Sequence, residues 1–335
     1  MKKVLFTGFL FLLSFSIAAQ QRPRELGIEI GVMTPGPLNA ITDVAGVKVG
    51  HTTLIKGDSV RTGVTAVLAH GGNIFQQKVP AAVYVGNGFG KLAGTTQIVE
   101  LGNIETPIIL TNTLSVPTAM NAVITYVLKQ KENEDVRSVN AVVGETNDGY
   151  LNDIRGRYVT ENDVLAAIEA AAEENTVEGN IGAGTGTVAF GYKGGIGTSS
   201  RKLPESLGGY TVGVLVQSNF GGVLQIDGVQ VGEELGKFSF SDELLNNVDG
   251  SCMIIIATNA PLDSRNLERL AKRAFLGLAK TGGIASNGSG DYILAFSTAE
   301  SVRIPYKIET ATLQRKFVPN DRMTPLFMAA IEATE

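Results

Sequence analysis

The sequence is poor in the side chains that build most metal sites and disulfide frameworks. Its 335 residues include a single cysteine, Cys252, two histidines, His51 and His70, and no tryptophan. One cysteine excludes an intramolecular disulfide and a zinc site made of several thiolates. Two histidines leave little material for a histidine-based catalytic triad or a multi-histidine metal centre. We therefore predict a chemistry that needs no metal and no other cofactor.

Positive charge is also scarce. The formal net charge is −5, and no cluster of basic residues follows the first few positions. Proteins that bind nucleic acids carry a basic patch that neutralises phosphates, so we expect no nucleic-acid partner. Beyond the N-terminus, glycine, asparagine or a charge interrupts every apolar run. We therefore expect no membrane-spanning segment in the mature protein.

The first residues have the composition of a targeting segment. Two lysines precede an apolar stretch over residues 4–17, and the small residues Ala18 and Ala19, followed by Gln20, offer a cleavage site. This order is typical of a secretory signal peptide, and an uncleaved membrane anchor is the alternative. We predict that residues 1–20 are removed, that residues 21–335 form a single domain, and that the mature protein is periplasmic or secreted.

Glycine and apolar residues are abundant. Forty glycines and 44% hydrophobic residues are typical of a compact α/β protein with many tight turns. Short apolar runs bounded by turn residues predict strands over residues 81–85, 107–110, 139–143, 210–216, 253–257 and 292–296. Apolar residues at helical spacing predict four helices, which begin next to Ser115, Thr160, Asp263 and Thr324. Because strands and helices share one core, we predict a layered α/β architecture.

The tripeptide Asp249-Gly250-Ser251 stands directly before the apolar run over residues 253–257. A glycine tolerates backbone conformations that other residues avoid, and it could aim the Ser251 hydroxyl at the preceding carbonyl. Cleavage before Ser251 would free its α-amine, which gives a hydroxyl nucleophile its own base. Most tripeptides of this kind are ordinary turns, and that interpretation stays open for the tripeptide alone.

Three further polar turns stand next to predicted strands. Asn219 follows a predicted strand, where it could be a turn residue or could donate a hydrogen bond to a developing oxyanion. Ser289 and Asp291 lie in a turn that could be solvated, or that could orient a nucleophile and its amine. Glu145 follows another predicted strand, where it could cap a turn or hold a substrate ammonium.

Two other features have a structural interpretation. The loop over residues 182–187 is rich in glycine, but it lacks the full dinucleotide-binding pattern and the lysine of a phosphate-binding loop. We expect a close-packed loop that lines a pocket. Cys252 neighbours Ser251, and strand alternation points the two side chains to opposite faces. We therefore interpret Cys252 as a small buried hydrophobic residue and not as the nucleophile.

Many short stretches occur in the order found in one family of peptidases. They include NAITDVAGVKVGH, DGYLND and ATNAPL, and the full set covers residues 39–51, 61–66, 86–90, 148–153, 182–186, 217–221, 250–251, 257–262 and 286–291. On these stretches the chain resembles the self-processing L-aminopeptidase/D-esterase and β-aminopeptidase family, the DmpA-like peptidases.

The resemblance implies a fold and a maturation step. The family fold is a four-layer α/β/β/α sandwich, similar in shape to N-terminal-nucleophile hydrolases but differently connected. Family members cut their own chain before the nucleophile, which here would separate an α fragment, residues 21–250, from a β fragment, residues 251–335. Homo-oligomerisation is implied in the same way.

The resemblance also implies roles for individual residues. The family's nucleophile falls on Ser251, its supporting hydroxyl and carboxylate fall on Ser289 and Asp291, and its oxyanion amide falls on Asn219. The carboxylate that recognises the substrate amine looks like Glu145.

Three positions depart from the family pattern. Asp291 stands where β-aminopeptidase members have Glu, which shortens the reach by one methylene. Some members carry a Tyr near Asn147 as a second oxyanion donor, and Asn259 replaces an expected Asp.

Together these observations predict a self-activating serine aminopeptidase or amidase that removes N-terminal amino acids from small peptides, amides or esters. Its predicted partners are that small substrate, its own two fragments and further copies of the chain. One alternative is an acyltransferase of related architecture, although such acyltransferases use Thr where Ser251 stands. The other is an uncleaved periplasmic binding protein with a degenerate site.

Overall fold

The computed structural model describes residues 21–174, 176–239 and 250–335. The chain divides into two compact units, Met1–Ile30 and Gly31–Glu335. The described part of the first unit contains a short 3-10 helix, Pro23–Leu26, and the predicted signal peptide, residues 1–20, lies outside the described residues. In the part of the chain that the structure describes, no helix combines the length and the hydropathy needed to cross a membrane.

The second unit contains the strands and the α-helices. In chain order the strands are β1 (Lys48–Lys56), β2 (Val60–Leu68), β3 (Gln77–Gly88), β4 (Leu92–Ala93), β5 (Asn103–Ile104), β6 (Ile108–Asn112), β7 (Val142–Thr146), β8 (Val188–Ala189), β9 (Tyr192–Lys193), β10 (Gly195–Lys202), β11 (Thr211–Asn219), β12 (Ser251–Thr258), β13 (Gly290–Ser297) and β14 (Ile304–Pro305). The helices are α1 (Thr95–Leu101), α2 (Val116–Leu128), α3 (Glu161–Glu169), α4 (Val231–Glu234), α5 (Ser264–Lys280) and α6 (Thr324–Thr334).

Most strands belong to two mixed sheets. The smaller sheet has the order β1-β2-β6-β7-β4, and the larger has the order β10-β11-β12-β13-β3-β14, with β5 also paired to β3. In the larger sheet β12 runs antiparallel to β11 and parallel to β13. Every residue of β12 and β13 is buried, as expected for central strands covered on both faces.

Three of the hydrophobic clusters among the described residues lie between successive layers of the fold. The core between the two sheets combines residues of the larger sheet with residues of the smaller one, such as Met253, Ile255, Val67, Leu110 and Val142. A second core joins the outer face of the larger sheet to α5 and α6, through residues such as Ile254, Ile256, Leu267, Leu270 and Leu326. A third joins the smaller sheet to α2 and α3, through residues such as Val64, Ile109, Val123 and Val164. The result is the predicted α/β/β/α sandwich.

The predicted helix starts are confirmed, and local chemistry explains two of them. The Asp263 carboxylate accepts a hydrogen bond from the Asn266 backbone N–H (2.8 Å) and begins α5. Thr160 and Asp163 form a reciprocal capping box at the start of α3. The four apolar periodicities therefore correspond to α2, α3, α5 and α6.

The strand predictions are correct in type but incomplete in extent. The run over residues 139–143 predicts a strand that the structure begins only at Val142 and continues to Thr146. The sequence analysis also missed β1, β2 and β10, which contain many polar and glycine residues. β1 pairs with β2 and β10 pairs with β11, each the next strand in the chain, but glycine and polar residues interrupt the apolar runs that would mark these strands.

Candidate active site

Three strand ends meet at one edge of the larger sheet. Asn219 ends β11, Ser251 begins β12 and Gly290 begins β13. In the registers of these pairs Asn219 lies opposite Ser251, and Ser251 lies beside Gly290. The antiparallel and parallel pairings therefore bring together residues that are far apart in the sequence.

Ser251 is 4% exposed, and its hydroxyl donates a hydrogen bond to the Gly250 carbonyl oxygen at 2.6 Å. The same carbonyl accepts a hydrogen bond from the Gly290 backbone N–H at 3.3 Å. The peptide bond between Gly250 and Ser251 is thus held next to the hydroxyl that would attack it. Asp249 lies outside the described residues.

Packing supplies a steric reason for the glycine at position 250. A Cβ at this position would lie 2.6 Å from the Phe220 Cα and 2.7 Å from the Asn219 carbonyl oxygen. Such distances are shorter than any real Cβ contact, so a larger residue would force the backbone to move. This requirement adds to the backbone freedom on which the sequence argument rests.

Cys252 lies on the opposite face of β12 from Ser251. It is fully buried in the core against α5 and α6, and burial, assisted by the charge of Asp291, raises the pKa of its thiol well above the usual value. A thiol that holds its proton so firmly is a poor nucleophile. The interpretation of Cys252 as a buried hydrophobic residue is confirmed.

Asn219 is 8% exposed, and hydrogen bonds determine the orientation of its amide. Its Oδ1 accepts from the Val188 N–H and its Nδ2 donates to the Asn147 carbonyl oxygen, each at 3.0 Å. An amide nitrogen carries two hydrogens. Within the described residues one acceptor is recorded for this nitrogen, so its second N–H is left to donate elsewhere.

A short hairpin supports Asn219 from one side, and the sequence analysis missed it. Phe190, between β8 and β9, has a φ of 52°, which is unusual for a bulky residue. Its N–H donates to the Phe220 carbonyl at 2.8 Å, and the two rings stack edge to face at 5.0 Å. These contacts fix the backbone of Phe220, the residue that follows Asn219.

Ser289 and Asp291 are each 1% exposed, so the interpretation of this turn as one with solvated side chains is wrong. The Ser289 N–H does close a turn onto the Ser286 carbonyl at 2.9 Å. Within the described ranges, the Ser289 hydroxyl and both Asp291 carboxylate oxygens have no hydrogen-bonding partner. Buried polar groups of this kind call for a functional explanation, because most are paired in native proteins.

Burial raises the pKa of Asp291 from 3.8 to about 6, and the nearby Ser289 hydroxyl partly opposes the shift. The hydroxyl is close enough to favour the carboxylate, yet no hydrogen bond of ordinary geometry joins the two side chains. In the sheet Asp291 lies beside Cys252, one residue beyond Ser251. Its carboxylate therefore starts from the face of the sheet that Cys252 occupies. The backbone nitrogen of Ser251 belongs to neither face, and a positive charge that forms on it would be attracted by this carboxylate.

Glu145 lies inside β7, next to its last residue, whereas the sequence had placed it after the strand. Its carboxylate is 2% exposed and accepts hydrogen bonds from the Lys91 N–H (3.0 Å) and from the Thr113 hydroxyl. Burial raises the pKa of Glu145, while these two hydrogen bonds and the charge of Lys91 oppose the shift. It is therefore an anchored carboxylate and not a solvated turn anion.

Gly90 connects Glu145 to the edge that carries Ser251. A Cβ on Gly90 would lie 3.2 Å from both the Glu145 Oε1 and the Gly290 Cα. The carboxylate of Glu145 and the start of β13 therefore lie on either side of one glycine. Glu145, which belongs to the smaller sheet, therefore lies near the ends of β11, β12 and β13 in the larger sheet.

Asn87, on β3, is a second residue that the sequence analysis did not assign to the site. Its amide donates hydrogen bonds to the carbonyls of Ser286 (2.9 Å), Asn287 (3.3 Å) and Ser289. It lies opposite Asp291 in the β3–β13 register. The only signal for it in the sequence is the stretch over residues 86–90, whose amide has no obvious partner nearby in the chain.

The remaining predicted features have structural roles. The loop over residues 182–187 is close-packed, since a Cβ on Gly186 would lie 2.1 Å from the Arg61 carbonyl oxygen. The Asn259 side-chain oxygen accepts from the Thr211 N–H at 2.9 Å, a role that the expected Asp could fill equally well. Within residues 21–174, 176–239 and 250–335, no group of three or more His, Cys, Asp or Glu side chains could hold a metal ion.

The chain is similar to known proteins over most of its length. A beta-peptidyl aminopeptidase of Sphingosinicella microcystinivorans is 41% identical over 343 residues, which cover 94% of this chain and 83% of the relative. A protein of Pyrococcus horikoshii OT3, whose crystal structure is known, is 50% identical with a TM-score of 0.86, over 94% of this chain and 89% of that one.

A third similar protein carries a described activity and fold. The L-aminopeptidase D-Ala-esterase/amidase of Ochrobactrum anthropi is 35% identical with a TM-score of 0.85, over 94% of this chain and 88% of that one. Its structure is described as a prototype for the serine aminopeptidases and as a new variant of the Ntn hydrolase fold. The predicted fold class and the prediction of a hydrolase of the peptidase type are confirmed by these similarities.

The profile of peptidase family S58 matches residues 39–335, which include both sheets and every polar strand end described above. The chain therefore belongs to peptidase family S58.

Proposed function

We propose that the protein is a serine aminopeptidase that activates itself by cleaving its chain between Gly250 and Ser251. The observation that carries this proposal is the contact of the Ser251 hydroxyl with the Gly250 carbonyl oxygen at 2.6 Å. A further hydrogen bond from the Gly290 N–H polarises the same carbonyl. Both contacts favour attack at this peptide bond.

Maturation proceeds by an N-to-O acyl shift followed by hydrolysis. The Ser251 oxygen bonds to the Gly250 carbonyl carbon, the C–N bond breaks, and the proton of the hydroxyl passes to the leaving amine. Water then attacks the resulting ester, which restores the Ser251 hydroxyl and leaves a carboxylate on Gly250. The products are an α fragment that ends at Gly250 and a β fragment that begins at Ser251.

In the mature site the new α-amine of Ser251 acts as the general base. The ordinary pKa of an α-amine is about 8, so a useful fraction is neutral near neutral pH and no histidine is needed. The buried, unpaired Ser289 hydroxyl and Asp291 carboxylate orient and stabilise this amine. The free N–H of the Asn219 amide binds the oxyanion that forms when Ser251 attacks the substrate carbonyl.

Glu145 binds the ammonium group of the substrate. Two donors hold its carboxylate in place, and only one glycine separates it from the start of β13. A carboxylate next to the strand ends that carry the nucleophile selects substrates with a free amino terminus, which explains removal of terminal residues. We infer small peptides, amides or esters with a free amine as the substrate class. The names of the relatives include both β-peptidyl and L-amino-acyl activities.

Export and assembly are part of the same proposal. A signal peptide over residues 1–20 would deliver the precursor to the periplasm or the medium. The cleaved fragments would stay associated, because β12 is a central strand between β11 and β13. We further propose that the mature protein forms homo-oligomers, as its resemblance to the family implies.

The test is intact-mass spectrometry of the wild type beside Ser251→Ala. We expect the wild type to separate into two fragments, the smaller of which runs from Ser251 to Glu335, and the variant to stay whole. Ser297→Ala is a matched control, because the Ser297 hydroxyl is also buried and also donates to a backbone carbonyl, that of Ala260, at 2.6 Å. This control should be cleaved like the wild type.

The outcomes separate the alternatives. If the wild type stays whole, self-processing is wrong for this chain and an uncleaved binding protein becomes the better interpretation. If Ser251→Ala is still cut at the same bond, Ser251 is not the nucleophile. Hydrolysis of an amino-acid p-nitroanilide by the cleaved protein, without transfer to added amines, would exclude the acyltransferase alternative.

A further inference from the structure

We propose that Asn87 is a positioning residue that holds Ser289 and Asp291 in their working places. The inference rests on the proposed function, in which these two groups orient the α-amine of Ser251. Among the described residues the hydrogen bonds of the Asn87 side chain go to the turn before β13 and not to Ser251, so it acts through the turn.

The hydrogen bonds of the Asn87 side chain all go to one segment, residues 286–289. Its side-chain nitrogen reaches the carbonyl oxygens of Ser286, Asn287 and Ser289, and two hydrogens serve these three acceptors. Two of the acceptors lie at the ends of the turn that the Ser289 N–H closes onto the Ser286 carbonyl. One amide therefore connects the entry of the turn to its exit.

The neighbouring backbone strengthens this attachment. The Phe89 N–H also donates to the Ser289 carbonyl, at 3.2 Å, and Asn87 itself is the register partner of Asp291. Ala285, just before the turn, has a φ of 45°, which costs energy for a residue other than glycine. A turn with a strained entry keeps its conformation only when its surroundings hold it, and Asn87 supplies much of that hold.

The two side chains that would take part in the reaction, those of Ser289 and Asp291, are not fixed by hydrogen bonds of their own. Within the described residues, neither the Ser289 hydroxyl nor the Asp291 carboxylate has a hydrogen-bonding partner. Their positions are therefore determined by the packing around them and by the backbone from which they project. Loss of the Asn87 amide would free that backbone and move both groups away from the Ser251 amine.

This movement has a predictable effect on pH dependence. A carboxylate near the Ser251 amine stabilises its protonated form and raises its pKa. Among the described residues, Cys252 and Tyr292 interact electrostatically with Asp291, Glu145 and Lys91 lie next to Tyr292, and Asp148 lies on the Asn219 side. Replacement of Asn87 by a neutral residue changes the charge of none of them. When Asp291 moves away, the amine should lose its proton at lower pH. The acidic limb of the kcat/KM profile should shift in the same direction.

The experiment compares Asn87→Ala with Asn73→Ala. Asn73 also holds a turn by side-chain hydrogen bonds, since its Oδ1 accepts from the N–H groups of Phe75 and Gln76. That turn precedes β3, whereas Asn87 lies at the other end of the same strand. Asn73→Ala thus removes a similar support far from the site. Asn87→Ser, which keeps a short donor, serves if Asn87→Ala does not fold.

We expect the Asn87 variants to cleave themselves and to turn over substrate about tenfold more slowly, with KM within about twofold of the wild type. KM should hold because Glu145 and its donors are untouched. The acidic limb of kcat/KM should shift to lower pH in Asn87→Ala and stay in place in Asn73→Ala.

Two results would overturn the inference while leaving the proposed function intact. One is a folded Asn87 variant with wild-type kcat and pH profile and only a lowered Tm, which would make Asn87 a structural residue. The other is an equal change in Asn73→Ala. Failure of the proposed function has a different signature, because the wild type would then stay uncleaved or Ser251→Ala would still be cleaved.

Discussion

Replacement of Gly250 by alanine tests the geometry of the cleavage site most directly. The new Cβ would lie 2.6 Å from the Phe220 Cα and 2.7 Å from the Asn219 carbonyl oxygen. Both neighbours are backbone atoms, which cannot rotate away as a flexible side chain can. To reach an ordinary contact of about 3.4 Å, the two segments must separate by about 0.8 Å.

The size of the effect follows from that displacement. The Gly250 carbonyl now accepts from the Ser251 hydroxyl at 2.6 Å and from the Gly290 N–H at 3.3 Å. Misplacement of reacting atoms by about 1 Å can cost about a hundredfold in rate. We therefore expect self-cleavage of Gly250→Ala to be about a hundredfold slower than that of the wild type. Overpacking should also cost the uncleaved precursor about 1–3 kcal/mol of stability.

The assay is the fraction of uncleaved precursor as a function of time, measured by intact mass after rapid purification in the cold. Gly197→Ala is the matched control, because a Cβ on Gly197, in β10, would meet nothing within 4 Å. This control should cleave at the wild-type rate. Any Gly250→Ala molecules that do cleave should show wild-type kcat, since the altered residue then lies at the free end of the α fragment.

Wild-type cleavage kinetics in Gly250→Ala would refute this reasoning. They would mean that the contacts with Phe220 and Asn219 do not hold the scissile bond in place. A low kcat in the cleaved variant molecules would refute a second step, because it would show that position 250 acts in the mature site as well.

Two further predictions concern the carboxylates. Glu145→Gln keeps the shape of the side chain and removes its charge, so KM for substrates with a free amine should rise about tenfold or more while self-cleavage is unchanged, as measured by steady-state kinetics beside intact mass. Burial raises the pKa of Asp291 from 3.8 to about 6, so the folded chain binds this proton more tightly than the unfolded chain does. Its contribution to stability is therefore present below about pH 4 and lost as the pH rises through about 6. In an uncleaved Ser251→Ala background, Asp291→Asn should remove about 2–3 kcal/mol of that pH dependence in urea unfolding, and an unchanged dependence would contradict the assignment.

Local chemistry in the sequence predicted the helices and the central strands. Asp263 and Thr160 are capping residues whose side chains bond to backbone N–H groups only three positions away. The apolar run after Ser251 is continuous because β12 is covered on both faces. Such signals act within a few residues, so a single sequence can reveal them. β1 and β10 lack such a signal, because glycine and polar residues interrupt their apolar runs and part of their burial comes from α3 and α6, which are distant in the chain.

Local signals in the sequence predicted only part of the candidate site. A turn in the sequence or the resemblance to a family pointed to five site residues, and each of them also allowed an ordinary structural interpretation. They are Ser251, Asn219, Ser289, Asp291 and Glu145. The structure adds their common location, the burial of Ser289 and Asp291, and the bonds that orient the Asn219 amide. These facts depend on the register of β11, β12 and β13 and on the contact between the two sheets.

The sequence by itself therefore determined which kinds of catalytic group the chain has. With one cysteine and two histidines it favours a hydrolase that works with hydroxyl, carboxylate, amide and α-amine groups, and it marks Ser251 by the glycine before it and the apolar strand after it. Only the tertiary structure decided which amides support those groups. Asn87 and Phe190 act through backbone atoms that are close in space and distant in sequence, because hydrogen bonds and ring contacts depend on proximity in three dimensions and leave no periodic pattern along the chain.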